Sequence, residues 1–246
     1  MIRRKRNILC IVVLAVITVT AVYFLKWNRA NDEIYRELSE TAVIHSTQEE
    51  SEYVSPIDFD VLKKTNPDIY AWIEIPGTDI SYPIVQHEED DDYYLNHTIE
   101  GKKGFPGSIY TQCENRTDFS KFNTIIYGHN MHNGTMFSNL VNYRDEEYFM
   151  QHREVIIYTP DAERTYRVFA AVVYDDRLIP AAFDERIPQE RQDYLDSLKA
   201  IRDMNSHVLD DIEVTSDSQI VTLSTCIKGQ PDNRFLVEAV LTDVTQ

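Results

Sequence analysis

The hydrophobic pattern divides the chain into two unlike stretches. Residues 8–25 (ILCIVVLAVITVTAVYFL) form an uncharged run of 18 residues, close to the ~20 that a helix needs to cross about 30 Å of hydrocarbon. The run has no polar face, which argues against a buried core helix. Its length, and the lack of a small-x-small site after Phe24 and Leu25, favour a retained signal-anchor over a cleaved signal, whose apolar region usually holds about 7–15 residues. Arg3, Arg4, Lys5 and Arg6 precede the run, so the positive-inside bias places the N-terminus in the cytoplasm and everything after the span outside the cell.

Beyond the span, Ile34, Leu38, Ala42 and Val43 stand at helical spacing and predict a short helix over residues 31–43. The polar stretch 45–55 (HSTQEESEYVS) has no period and reads as a linker. Residues 58–64 suit one or two helical turns, ended by Asn66-Pro67 because the residue before proline avoids the helical region. From Ile69 the period changes. IYAWIEI, the turn Pro76-Gly77-Thr78-Asp79 and ISYPIVQ predict two strands, and further strands are expected at 107–111, 123–127, 154–159, 165–174, 219–225 and 235–241. Helical pattern breaks in at 135–143 and at 188–204, where Tyr194, Leu195, Leu198 and Ile201 share one face behind an N-terminal proline. The expectation is a mainly β fold: about eight strands in a closed or nearly closed barrel with peripheral helices, a sandwich being the alternative. The predicted divisions are 1–26 for the tail and anchor, 27–57 for a juxtamembrane helix and linker, and 58–246 for the folded domain.

Charge narrows the function. The 246 residues hold 24 Lys+Arg against 41 Asp+Glu, a net charge of −17. Five of the basic residues and none of the acidic ones lie in 1–26, so the exported part carries −22. Such a balance excludes nucleic acid as the default partner and suits cationic partners or plain solubility. Only seven glycines occur, none between Gly134 and Gly229, which argues against Gly-rich phosphate-binding loops. Three Asn-x-Thr triplets, at Asn96, Asn115 and Asn133, matter only in a eukaryotic secretory route.

Cys226 ends the run Ile220-Val-Thr-Leu-Ser-Thr-Cys226, at the point where a strand meets a loop. The bland reading is a small hydrophobe closing a core strand. Its neighbours favour another. Arg234 follows after Gly229, Pro231 and Asp232 have turned the chain and opens the last strand, so a hairpin would set a permanent guanidinium beside the thiol, suited to a thiolate or a developing oxyanion. His129, in Tyr127-Gly-His-Asn-Met131, leaves another strand end; alone it would more often be structural. A disulfide between Cys113 and Cys226 is open to an exported chain, but a catalytic thiol must stay free. Zinc held by His129 and His132 with Cys113 or Cys226 lacks the usual ligand spacings, and the expectation is no metal. The acidic run 88–92 lacks the spacing of an EF-hand, and no Gly-x-Ser-x-Gly elbow is present.

Taken together, Thr222-Leu-Ser-Thr-Cys226, Arg234 heading the final strand, and Tyr127-Gly-His129-Asn130 resemble the active site of sortases. Phe59-Asp-Val-Leu-Lys-Lys-Thr-Asn-Pro-Asp68, Trp72-Ile-Glu-Ile-Pro-Gly-Thr78, Tyr82-Pro-Ile-Val-Gln86 and the helix before the cysteine strand are similar to class B sortases. The likeness runs from about Asp58 to Leu241. It implies an eight-stranded sortase-type barrel on the outer face of a Gram-positive cell membrane and a cysteine transpeptidase needing no cofactor. Cys226 would be the nucleophile, His129 the acid and base, and Arg234 the group that holds substrate and its oxyanion. Ser224 and Asn96 fall where the family's substrate contacts lie. The implied partners are surface proteins or pilins with a C-terminal sorting signal, and an amine acceptor on the peptidoglycan cross-bridge or a pilin lysine. Because Ile227 follows Cys226, no carboxylate there can orient the histidine. The rival outside the enzyme class is a membrane-tethered binding barrel with an ordinary cysteine and histidine.

Overall fold

The computed structural model describes residues 2–43 and 53–246; most of the predicted linker at 45–55 lies outside them. The chain forms two compact units, Met1–Leu38 and Ser39–Gln246. Helix α1 runs without a break over Ile2–Ala42, so the predicted span and the predicted short helix are one element. The physical reason is the lack of any breaker: the first proline is Pro56 and the first glycine Gly77, and a change from apolar to charged residues does not by itself end a helix. Within α1, apolar side chains such as Leu14, Ile17, Val19 and Phe24 are more than half exposed. The helix is long and apolar enough to cross a membrane.

The second unit is a barrel. Its strands are β1 (Ile69–Glu74), β2 (Ser81–Val85), β3 (Ile109–Tyr110), β4 (Asn123–Tyr127), β5 (Glu154–Thr159), β6 (Ala162–Asp175), β7 (His207–Val208), β8 (Ile220–Ile227) and β9 (Gln230–Thr245). Eight of them close a ring in the order β5-β1-β2-β3-β4-β8-β9-β6, with β6 returning to β5. All eight predicted strands are present in that ring. The two-residue β7 was not foreseen; it pairs with the second half of β6, Ala171 opposite His207, beyond the point where β5 ends. Closure leaves no long unpaired edge. The β2–β3 and β4–β8 pairs are parallel, and the other pairs of the ring are antiparallel.

Four helices decorate the barrel: α2 (Phe59–Thr65), α3 (Glu146–Gln151), α4 (Ile179–Ala182) and α5 (Pro188–Lys199). Asp58 caps α2 by accepting from the Val61 amide at 2.9 Å. The helical pattern at 135–143 became a 3-10 segment, Ser138–Arg144, followed by α3. Helix α5 stops at Lys199 rather than Met204, but its predicted face is right. Tyr194, Leu195 and Leu198 are buried, with Ile201 packed beside them against Phe169, Val172, Leu236 and Val240 of the barrel's outer surface. A second core under α5 therefore covers β8, β9 and β6, which explains why Ile220–Thr225 is buried at every position, not at alternate ones.

That second core encloses one acid. Glu238, on β9, is fully buried. Its Oε1 accepts from the Tyr194 hydroxyl at 2.7 Å, and its Oε2 lies 2.8 Å from the Thr222 hydroxyl. The same Thr222 hydroxyl stands 2.9 Å from Asn123 Oδ1. One hydroxyl has one proton and cannot serve both oxygens. A protonated Glu238 resolves the conflict by donating to Thr222, which then donates to Asn123. Burial pushes the carboxyl up to about 7 from an ordinary 4.5, in the same direction. The folded state therefore holds this proton more tightly than the unfolded state, and stability falls as pH rises from 4.5 through 7. Replacing the acid by its amide, Glu238→Gln, should raise the unfolding temperature at pH 8, worth on the order of 3 kcal/mol, and leave it level with the parent near pH 4. An equal difference at both pH values would contradict the protonated network.

Candidate functional site

Strand β8 is buried through Thr225 and surfaces at Cys226. Across the antiparallel β8–β9 pair, Cys226 stands directly opposite Arg234, and the register shifts just beyond, between Cys226 and Ile227. The expected hairpin forms through a tighter turn, Lys228-Gly229 between Ile227 and Gln230, and makes Cys226 and Arg234 directly opposite partners. Arg234 is half-buried, and its Nη1 donates to the carbonyls of Pro231 at 2.9 Å and Asn233 at 3.0 Å, so the first residues of β9 hold one tip of the guanidinium.

His129 comes from the other side of β8. Strand β4 lies parallel to it, with Tyr127 opposite Ser224, so both chains leave the sheet at the same end. Three bonds then carry the pairing into the loop. The Gly128 amide donates to the Ser224 carbonyl at 3.1 Å, the Thr225 hydroxyl to the Gly128 carbonyl at 2.7 Å, and Asn130 Nδ2 to the Cys226 carbonyl at 3.0 Å. The residues on both sides of His129 are therefore tied to residues 224–226. Gly128 is required by close packing: a Cβ there would lie 2.5 Å from Ile109 Cδ1 and 2.7 Å from the Phe137 ring. The imidazole itself has Nε2 2.8 Å from the Leu95 carbonyl and its ring 5.0 Å from that of Phe105.

Cys226, His129, Arg234 and Ser224 line one cleft of about 250 Å³, together with Leu95, Tyr110, Tyr127 and Leu178. Burial pushes the Tyr110 hydroxyl up, and a charge on Cys226 adds to the push; burial does the same to Tyr127, against a pull from Arg234. Both phenols stay protonated, and that of Tyr127 donates to Gln112 Oε1 at 3.3 Å. Asp92 and Asp176 supply negative charge to the same cleft, while Asp175 is ion-paired with Arg177, which also lines it. A larger cavity of about 400 Å³, under α4 and α5, shares Ile125 and Ile179 with the cleft but contains neither thiol nor imidazole. Of the two, only the smaller holds the thiol, the imidazole and the guanidinium together.

Asn96 is not brought in. It is exposed, and its neighbour Leu95 takes the place on the cleft wall. Tyr127 belongs to the histidine motif Tyr127-Gly-His-Asn-Met131, whereas Leu95, Tyr110 and Leu178 lie in no chemical motif and were missed; Tyr110 and Leu178 are at or near strand ends, and Leu95 has no such signal. Cys113 and Cys226 are both free and exposed, so the disulfide is absent. The Cys113 thiol donates to Asp91 at 2.7 Å, which pushes its pKa up. Among the described residues no group of three His, Cys, Asp or Glu side chains is placed to hold a metal ion.

A model of the sortase domain matches residues 73–242. The chain belongs to the sortase family. It is 34% identical over 165 residues to sortase B of Listeria monocytogenes, an alignment covering 67% of this chain and 65% of that one; the chain thus spans slightly less than two thirds of that relative. Among solved structures, Bacillus anthracis sortase B in complex with AAEK1 superposes with a TM-score of 0.74 at 30% identity, over 89% of this sortase and 99% of the other chain. A Staphylococcus aureus sortase B–substrate complex gives 0.71 at 28% identity, over 89% and 97%.

The packing argument at Gly128 is open to a direct check. Gly128→Ala should cost about 1–3 kcal/mol through overpacking against Ile109 and Phe137, read as a lowered midpoint in thermal or denaturant unfolding. An unchanged midpoint would mean that the loop carrying His129 is not packed as described.

Proposed function

We propose that this sortase is a cysteine transpeptidase whose reacting groups are Cys226, His129 and Arg234. It cleaves a C-terminal sorting signal after threonine and transfers the new acyl end to an amine of the peptidoglycan cross-bridge. One observation carries the reading: a thiol, an imidazole and a guanidinium, contributed by β8, the β4 loop and β9, line a single open cleft.

The sequence of steps follows from what each group can do. The Cys226 thiol passes its proton to His129 as the sulfur attacks the threonine carbonyl carbon, and the carbonyl electron pair moves onto oxygen, where the Arg234 guanidinium offsets the charge. The carbon–nitrogen bond then breaks, His129 delivers a proton to the departing amine, and a thioester remains. An incoming amine attacks the thioester, His129 takes its proton, and the sulfur leaves. A difficult amide exchange is thereby divided into two easier ones. Ser224 lies on the cleft wall, where it would meet the signal peptide. Asp92 and Asp176 on the rim, where Asp175 is already paired with Arg177, favour a cationic amine approaching the thioester.

The same proposal places the protein in the cell membrane as a single-pass anchor. The N-terminus is cytoplasmic, residues 1–26 form the tail and span, 27–57 the spacer, and 58–246 the extracellular catalytic domain. Its support is the 41-residue helix and the basic residues before it.

Incubation of the detergent-solubilised chain with sorting peptides of Leu-Pro-x-Thr-Gly and Asn-Pro-x-Thr-Asn type, with oligoglycine and lysine amines, tests the reading by mass spectrometry. The expected result is an acyl adduct on Cys226 that disappears when amine is added. Cys226→Ala should abolish the adduct, and His129→Ala and Arg234→Ala should slow transfer by about 10²–10⁴-fold, with little change in thermal unfolding. Full turnover in either of the last two would remove that residue from the mechanism, and absence of any adduct would remove the reaction.

A further inference from the structure

Among the described residues no carboxylate is hydrogen-bonded to His129; its Nε2 faces a backbone carbonyl, that of Leu95. A carbonyl oxygen only accepts, so the contact is a hydrogen bond only when Nε2 carries the proton. The neutral ring then presents the lone pair at Nδ1, and Nδ1 becomes the nitrogen that takes and gives the proton.

The Leu95 carbonyl is itself held in place. It belongs to the long connection, residues 86–108, between β2 and β3. Tyr93 is stacked between His87 and His97, with ring centroids 4.3 and 3.9 Å away. The Tyr94 hydroxyl donates to Asp68 at 2.6 Å and accepts from Asn66 at 2.7 Å, and the Tyr94 carbonyl accepts from the Ser108 amide at 3.0 Å. Between these anchors Gly107 lies flush against the Leu95 peptide group. A Cβ at Gly107 would fall 2.5 Å from the Leu95 oxygen and 2.8 Å from the Tyr94 oxygen.

We propose that the Leu95 carbonyl is the orienting acceptor of His129, in the position where other acid–base histidines have a carboxylate, and that Gly107 is the positioning residue that lets the carbonyl stand there. The bond fixes the ring's orientation and tautomer, and it persists as a charge-assisted bond in the imidazolium that forms when Nδ1 is protonated. The inference rests on the proposed acid–base role of His129.

The test uses the full chain in detergent, with ¹⁵N-labelled histidine. A two-bond ¹H–¹⁵N correlation spectrum in mildly alkaline solution reads the tautomer of each neutral ring, and comparison with His129→Gln assigns the residue. The expected result for His129 is the Nε2–H form. Two glycine variants then separate contact from backbone strain. Gly107 (φ +73) and Gly101 (φ +71) sit in the same connection with the same left-handed backbone, but a Cβ at Gly101 meets only the Tyr93 hydroxyl, at 3.8 Å. Gly107→Ala should mix the tautomers of His129 and lower kcat for acyl transfer about 10- to 100-fold, the scale of a small displacement of a catalytic group, with little change in KM. Gly101→Ala should keep both the tautomer and kcat. An Nδ1–H form in the parent chain overturns the proposal, as does a Gly107→Ala variant as active as Gly101→Ala. If Gly107→Ala does not fold, the tautomer of the parent chain decides. A parent chain with the Nε2–H form that transfers no acyl group would refute the proposed reaction and leave the positioning of His129 intact.

Discussion

The site depends on the parallel pairing of β4 with β8. Parallel neighbours run out of a sheet at the same end, so the residues that follow them emerge together, whereas antiparallel neighbours would send them to opposite ends. Five consecutive pairs, from Asn123–Ile220 to Tyr127–Ser224, bring a histidine loop and a cysteine strand end to one level. The chain needs a crossover between two such strands, and here residues 128–219 provide it, carrying β5, β6, β7 and helices α3, α4 and α5 on the way. The β8–β9 hairpin then adds the arginine at almost no topological cost.

Rigidity at that point comes from burial on both faces of β8. The inside of the barrel covers one face and α4–α5 the other, so the strand that ends in Cys226 is a core element up to its last buried residue. Glu238, Thr222 and Tyr194 form the polar seam of that outer core, and the geometry of hydroxyls without cations makes a neutral carboxyl the economical state. Cys226, and with it the proposed reacting site, lies where this packing stops. Cys226 is exposed one residue after Thr225, which is buried, and a strand end set on a dense core is stiff enough to hold a nucleophile while leaving it reachable.

Much of this was legible in the residues. Alternating and β-branched runs marked the eight strands of the ring, and Gly229 was enough to announce the hairpin that pairs Cys226 with Arg234, although the turn is tighter than expected and β9 begins at Gln230, not at Arg234. Other features left weaker traces. Two residues are too few to show a period, so β7 was invisible. The continuity of α1 was masked by a change in polarity that does not alter backbone preference. The walls of the cleft were the least legible: Leu95 and Leu178 arrive on connections held by backbone hydrogen bonds, which no residue type announces. The Leu95 carbonyl is the extreme case, since every residue has one. Only Gly107, a residue without a side chain at a crowded point, hints at it.

The central claim is that thiol, imidazole and guanidinium share one cleft, and a crystal structure with Cys226 alkylated by iodoacetamide tests it most directly. The adduct's amide carbonyl mimics a substrate carbonyl one bond from the sulfur. The account predicts the carboxamide inside the cleft, its oxygen or nitrogen within hydrogen-bond reach, about 2.6–3.2 Å, of Arg234 or His129. An adduct directed into bulk solvent, with both side chains beyond about 5 Å, would contradict it.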